Sequence, residues 1–318
     1  MLIFLDAFAS GWFPRRVNRT ETSEIIDEVI RLMDAHYLDP SVAAEVARIL
    51  RARSADEPYP PDPAALADAV TTDLQSVNGD KHLRLIYHED ALPERAAGDD
   101  AEEYAAMTQW VERTCAGIAK VEALPDNVGY VDIHPVLFPV AIAGNAVSAA
   151  MSLVASTDAL IIDVRRCLGG EPAMVAWLCS YLFDRDPVQL TGLQERGTLA
   201  QSWTLPFVPG RRFGATKPVY VLTSATTFSG GEQLSYDLQQ LGRATIVGET
   251  TRGGAHAREG FRVHPHLEVT ISVARGHNPI SGGNWEGTGV TPDVAVPADE
   301  ALARAQSLAR ERLGADVR

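Results

Sequence analysis

The chain has 318 residues, 46% of them hydrophobic, which is ample for a packed core in one large domain or two modest ones and excludes disorder as the main state. Forty-two acidic residues against 28 basic ones leave a net charge of −14. No basic patch runs against that field, so nucleic acid is not an expected partner. Cys115, Cys167 and Cys179 lack the paired spacing of a zinc site or a disulfide framework and read as packed thiols, although a Cys167–Cys179 pair stays open.

The start, Met1 to Gly11, is apolar, but Asp6 interrupts it and no positive segment precedes it, so a cleaved signal peptide is not expected. No run of about 18 uncharged apolar residues exists, and an integral membrane span is not expected either. The cytoplasm is the expected compartment, with a secreted or periplasmic location left open.

From Ser23, the spacing of Ile25, Ile26, Val29, Ile30, Leu32 and Met33 predicts an amphipathic helix. Further helices are predicted over Ser41–Ala52 and Pro63–Val77, separated by a proline-rich turn. His82 then opens a predicted strand through Tyr87. Glu89 to Asp100 is acidic and proline-bearing, and Ala105 to Val121 has a helical pattern, so 89–126 reads as a linker with one helix.

From Asn127 the texture changes. Predicted strands at Val128–Ile133, Ala159–Val164, Pro218–Thr223 and Ala244–Gly248 alternate with helices at Ala143–Ser156, Pro172–Phe183 and Gly231–Leu241. Such alternation implies an α/β fold with a parallel sheet and helical crossovers. Leu267–Val273 adds a strand and Asp299–Leu313 a helix. The organisation expected is a helical N-terminal domain over 1–88, the linker, and an α/β core over 127–318.

Two stretches carry chemistry. Thr226-Thr227-Phe228-Ser229-Gly230-Gly231-Glu232 places a serine at a helix start, after a buried strand. Unpaired amides and the helix dipole favour an anion there, as a developing oxyanion requires. The same Ser-x-x-Glu spacing is also that of a plain capping box, in which Ser229 is only an N-cap. Asp163-Val164-Arg165-Arg166-Cys167-Leu168-Gly169-Gly170 is a buried strand ending in a glycine loop, the place where open parallel sheets bind ligands. An amide of Gly169 or Gly170 there is a candidate second oxyanion donor beside that of Gly230, or the glycines merely make the turn.

Taken in order, Asp163-Val164-Arg165 to Gly169-Gly170, Thr223-Ser224 to Ser229-Gly230-Gly231-Glu232, Gly242-Arg243-Ala244 to Gly248-Glu249-Thr250-Thr251, and Gly287-Thr288-Gly289-Val290-Thr291-Pro292-Asp293 form one set. It resembles the serine peptidase superfamily of C-terminal processing (tail-specific) proteases and tricorn core protease, closest to the bacterial branch similar to interphotoreceptor retinoid-binding protein. The resemblance implies a Clp-protease/crotonase-like core of stacked β/α units with a helical cap. Between His82 and Val128 there is no room for a PDZ domain.

Serine/lysine members carry a lysine after the Gly-Glu-Thr element, whereas this chain reads Thr251-Arg252-Gly253-Gly254-Ala255. The resemblance therefore implies the tricorn-like set: Ser229 as nucleophile, His82 as base and Glu286 as orienting carboxylate. Lys81 stands where tricorn has a serine and is an auxiliary candidate, or a solvated lysine. His256 is the rival base. Phe228, Trp285 and Arg252 are candidate substrate contacts, with core packing or a solvated face as their plain alternatives. His264 and His266 flank Pro265 without an evident third ligand, so no metal and no cofactor are expected.

The expected activity is a serine peptidase acting through an acyl-enzyme on a peptide or protein. A carrier of a small hydrophobic molecule, such as a retinoid or fatty acid, and a recruited cyclase or esterase are the alternatives. The sequence leaves the oligomeric state open.

Overall fold

A computed structural model describes residues 16–56, 58–92 and 100–316. The apolar start and the centre of the acidic linker lie outside the described residues. The described residues fall into two compact units: those within 1–94 together with 258–273, and those within 95–257 together with 274–318. The expected linear division thus differs from the observed one, because a late hairpin returns to the first unit and the linker helix belongs to the second.

The first unit begins with α1 (Arg19–His36), α2 (Pro40–Asp56) and α3 (Pro63–Gln75). Asn18 caps α1 by accepting from the amides of Thr20 and Glu21, and Glu21 returns a bond to the Asn18 amide. Asp62 caps α3 through the Ala65 amide, with Pro63 at the first helical position. Strand β1 covers Arg84–Tyr87.

The second unit follows with α4 (Asp100–Arg113), β2 (Ile118–Leu124), β3 (Val128–Ile133), α5 (Val140–Val154), β4 (Ala159–Asp163) and α6 (Pro172–Ser180). Next come β5 (Gln189–Gln194), β6 (Leu199–Trp203), β7 (Val219–Thr223), α7 (Gly230–Gln240) and β8 (Thr245–Gly248). The long strands β9 (His256–His264) and β10 (Leu267–His277) precede β11 (Val294–Ala295) and α8 (Ala301–Asp316).

In the first unit β1 pairs antiparallel with β10, Arg84 opposite Thr270 and Tyr87 opposite Leu267. Leu85, Leu267, Val269 and Ile271 join the apolar faces of α1 to α3 in one core. Burial of these faces, more than helical propensity, is what holds the three helices.

In the second unit the sheet order is β11-β8-β7-β4-β3-β2, with β3, β4, β7, β8 and β11 parallel and β2 antiparallel to β3. Both faces are covered, which explains the unbroken apolar runs of the strands. Val131, Leu160, Ile162 and Val221 pack under α5, α6 and α7. Tyr130, Ile161, Tyr220 and Leu222 pack under α8. That helix meets the sheet through Ala301, Ala305 and Ala309, all fully buried, so a larger side chain has nowhere to go. Ala305→Leu is expected to destabilise the protein by about 1–3 kcal/mol through overpacking, read as a lower urea midpoint with an unchanged slope.

Three sequence expectations are corrected. The helix predicted to Val121 ends at Arg113, and residues 118–124 form β2 instead. Ala116 and Gly117 have φ of 56° and 78°, left-handed values that stop a helix. His82 lies in the turn ahead of β1 rather than on the strand, because Asp80 Oδ1 accepts the His82 amide and the Leu83 amide closes onto the Asp80 carbonyl. The strand at 267 continues to His277, where its end pairs with β5.

Candidate active site

In the second unit β4, β7 and β8 are adjacent and parallel, so the loops leaving their C-terminal ends are neighbours. The loop after β4 holds Gly169 and Gly170, the turn after β7 holds Ser229, and the segment after β8 holds Arg252 to His256. The strand order alone thus gathers these three pieces.

Ser229 sits immediately before α7 with φ 49° and ψ −115°. This is the first-position geometry of a type II′ turn, where glycine is usual, and a serine there carries roughly 1–3 kcal/mol of strain. The strain is held by a laced turn. Ser224 Oγ and Thr226 Oγ1 donate to the Arg165 carbonyl at 2.6 and 2.9 Å, and Thr227 Oγ1 donates to the Val164 carbonyl at 2.9 Å. The Phe228 amide donates to the Cys167 carbonyl at 3.0 Å. Every one of these bonds fastens the serine turn to the β4 loop.

That loop is fixed in turn by Asp163. The Asp163 carboxylate takes Arg165 bidentately and the Tyr130 hydroxyl at 2.7 Å. Burial pushes this carboxyl up, but the bonds from Arg165 and Tyr130 outweigh it and hold it below the usual range.

Glycine is obligatory where the two loops meet. A Cβ on Gly230 would stand 2.7 Å from the Gly170 carbonyl oxygen. One on Gly169 would stand 3.1 Å from Ser229 Cβ, and Gly169 also has φ 138°. The structure therefore brings Ser229, Gly230, Gly169 and Gly170 together. The Gly230 amide is at the first helical position, where no intrahelical acceptor exists.

Glu232 does far more than cap a helix. It is fully buried, and its two oxygens accept four donors: the amides of Ser229 (2.8 Å), Gly253 (2.6 Å) and Gly254 (2.9 Å) and the Thr251 hydroxyl (2.5 Å). One carboxylate thus ties the serine turn to the segment after β8. Burial raises the Glu232 carboxyl above its ordinary range, and the four donors offset that only in part. The signal in the sequence was the Ser-x-x-Glu spacing itself, which showed the bond to Ser229 but not the other three.

The segment after β8 leads to the next group. The Ala255 amide donates to Glu286 Oε2 at 2.5 Å, and His256 Nδ1 lies 3.8 Å from the same oxygen. Asn284 Oδ1 accepts the Glu286 amide, and the Trp285 indole donates to the Gly254 carbonyl at 2.9 Å. Trp285 is 3% exposed and packs with Ala255 and Val290, so it holds the loop together from inside. Arg252 is exposed beside Ser229, its guanidinium stacked 4.7 Å above the half-buried Phe228 ring.

His82 and Lys81 belong to the first unit. His82 is 4% exposed, in a turn built on Asp80, which also accepts the Tyr37 hydroxyl at 3.0 Å. Thr270 donates to the His82 carbonyl. Lys81 is half-buried in the same turn. In the first unit His264 accepts the His266 amide on Nδ1, and His266 Nδ1 lies 3.1 Å from the His88 carbonyl. Cys167 and Cys179 are both free thiols.

The model of peptidase family S41 matches residues 127–296, over half of the chain. The chain belongs to peptidase family S41. It is accordingly a serine-type peptidase, and every element described around Ser229, from β3 to β11, falls within the matched span. Solved structures share the fold over nearly the whole chain. A lipoprotein from Streptococcus agalactiae matches 95% of this chain and 99% of its own at 15% identity, TM-score 0.59. The photosystem II D1 C-terminal processing protease matches 90% of this chain and 97% of its own at 18% identity, TM-score 0.52. The tricorn protease matches 92% of this chain but 37% of its own length, at 16% identity and TM-score 0.59. The expected α/β core with a helical N-terminal part is thus the fold of S41 proteases.

Proposed function

We propose that this S41 peptidase cleaves peptide bonds through an acyl-enzyme on Ser229, in a tricorn-like or C-terminal processing role, with His82 as general base and Glu286 as the carboxylate that orients it. The observation that carries the reading is the strained Ser229 backbone, φ 49°, held against the Gly169-Gly170 loop. A serine that only caps a helix needs no such conformation.

The imidazole takes the Ser229 proton as Oγ bonds to the scissile carbonyl carbon, and the oxyanion is met by the Gly230 amide with one from Gly169 or Gly170. Collapse expels the amine, which receives the proton from the imidazolium. Water then adds to the ester by the same route in reverse and releases the acid. Arg252 on Phe228 offers a cation and an aromatic edge beside the nucleophile for the peptide, a carboxylate included. Membership in a peptidase family supports a peptide as substrate over a small apolar ligand.

A second base has its own support. His256 lies 3.8 Å from Glu286, close enough to pair once protonated. A fluorophosphonate probe with peptide mapping tests both readings. Adduct on Ser229, lost in His82→Ala but retained in His256→Ala, is the expected result. Loss in His256→Ala alone moves the base to His256, and adduct elsewhere in the folded protein removes Ser229 from the chemistry.

A further inference from the structure

Helix α7 carries a second buried carboxylate that the chemistry above does not use. Asp237 is fully buried two turns beyond Ser229. Its Oδ1 accepts the Thr191 amide at 2.8 Å, the Thr191 hydroxyl at 2.7 Å and, more loosely, Asn278 Nδ2 at 3.4 Å. Asn278 Nδ2 also donates to Thr191 Oγ1 at 3.0 Å. Oδ2 is buried without a hydrogen-bond partner. A charged side chain so placed is costly to a fold, and an apolar residue of that volume would have served a packing role better.

What it fastens is the loop that leads to Glu286. Asn278 is 1% exposed, and its Oδ1 accepts the amides of Ile280 and Ser281. Its amide donates to the Gly283 carbonyl, which closes the loop. The next links are Asn284 Nδ2 to the Gly276 carbonyl and the Glu286 amide to Asn284 Oδ1. The preceding residue of the helix holds the same loop from outside: the Tyr236 hydroxyl lies 2.9 Å from Ser281 Oγ, and its ring lies 5.1 Å from that of Trp285.

We infer that Asp237 is a positioning residue, which with Thr191 and Asn278 sets the Glu286 loop on the same helix that presents Ser229. One rigid α7 then fixes nucleophile and carboxylate relative to each other. The inference rests on the roles proposed above for Ser229 and Glu286.

Among the described residues, the groups that act on Asp237 are uncharged side chains and amides. Thr191 comes from β5, Gln233 from α7 itself, Asn278 from the loop, and the Cys179 thiol from α6. Burial pushes the Asp237 carboxyl from 3.8 up to about 6, offset in part by the bonds from Thr191 and Asn278 and by the nearby Gln233 amide. Oδ1 remains the acceptor in either protonation state, so the device needs the oxygen rather than the charge. A folded-state value raised in this way contributes stability that is full near pH 4 and lost as pH rises through about 6.

Hydrogen exchange of the full chain, paired with the rate of fluorophosphonate labelling, tests this. Thr191→Val and Asp237→Leu are expected to speed exchange at Ile280, Ser281 and Glu286 selectively and to slow labelling about 10- to 100-fold. Asp237→Asn is expected to keep loop protection and labelling near wild type while making the fall in stability between pH 4 and 6 shallower by the share that Asp237 contributes. Wild-type exchange and labelling in folded Thr191→Val overturn the inference, as does a deprotected loop in Asp237→Asn. If Asp237→Leu fails to fold, the other two variants decide. Labelling that survives Ser229→Ala overturns the nucleophile assignment, while the exchange measurement, which needs no nucleophile, still decides the role of Asp237.

Discussion

Ser229→Ala is expected to lower kcat/KM on any cleaved peptide by about 10⁴- to 10⁶-fold, the loss seen when a nucleophile that acts as a unit with its base is removed. The argument is about what remains. Gly230, Gly169 and Gly170 keep their places without the hydroxyl, because the close approach of Gly230 to the Gly170 carbonyl and the Phe228–Cys167 backbone bond do not involve it. Peptide therefore still binds, and KM is expected to change by less than about threefold while kcat falls. Stability is expected to stay where it is. Alanine is disfavoured at φ 49° as serine is, so the strain persists and the urea midpoint is expected to stay near wild type. A collapse of KM together with kcat indicates that the hydroxyl binds rather than attacks.

The core was legible in the sequence because its strands are covered on both faces. Burial on both sides forces continuous apolar runs such as Ala159-Leu160-Ile161-Ile162, and these are unambiguous beside amphipathic helices. The strands that were missed are of the other kind. β6 is largely exposed, with Leu199 and Trp203 over 40% accessible, and β9 reads Ala257-Arg258-Glu259-Gly260, with little apolar signal. β6 pairs with β5 and β9 with β10, each its neighbour along the chain, so what hid them is their exposed, polar sequence rather than a distant partner.

The site divided along the same line. Ser229, Gly169 and Gly170 are turn residues whose chemistry is local, so their motifs reveal them. Glu232 and Asp237 were hidden in plain helix pattern, because what distinguishes them is the donors that converge on them from Thr251, Gly253 and Gly254, or from Thr191 and Asn278. Glu232 showed only its capping spacing, and Asp237 showed nothing. The return of 258–273 to the first unit was equally silent, since a hairpin carries no mark of the body it joins.

Glu232→Ala is expected to be the most damaging change away from the reacting atoms. Removing the carboxylate leaves the amides of Ser229, Gly253 and Gly254 and the Thr251 hydroxyl without their acceptor in a dry site. Each unsatisfied buried group costs about 1–3 kcal/mol, and with partial relaxation the total loss of stability is expected at about 3–5 kcal/mol. Activity is expected to fall about 10²- to 10³-fold, since both the serine turn and the segment leading to Ala255 and Glu286 lose their common anchor. Glu232→Gln separates acceptor from charge: its oxygen keeps two donors, while its NH₂ faces two others and is repelled. The pH dependence gives an independent signature. Burial raises the folded-state value of Glu232 above the ordinary 4.5, so this group's contribution is complete at lower pH and is lost as pH rises through the raised value. Urea midpoints measured from pH 4 upward are therefore expected to decline less steeply in Glu232→Gln than in wild type. Parallel declines show that the carboxylate is ionised at no cost to the fold, and that its four donors compensate its burial in full.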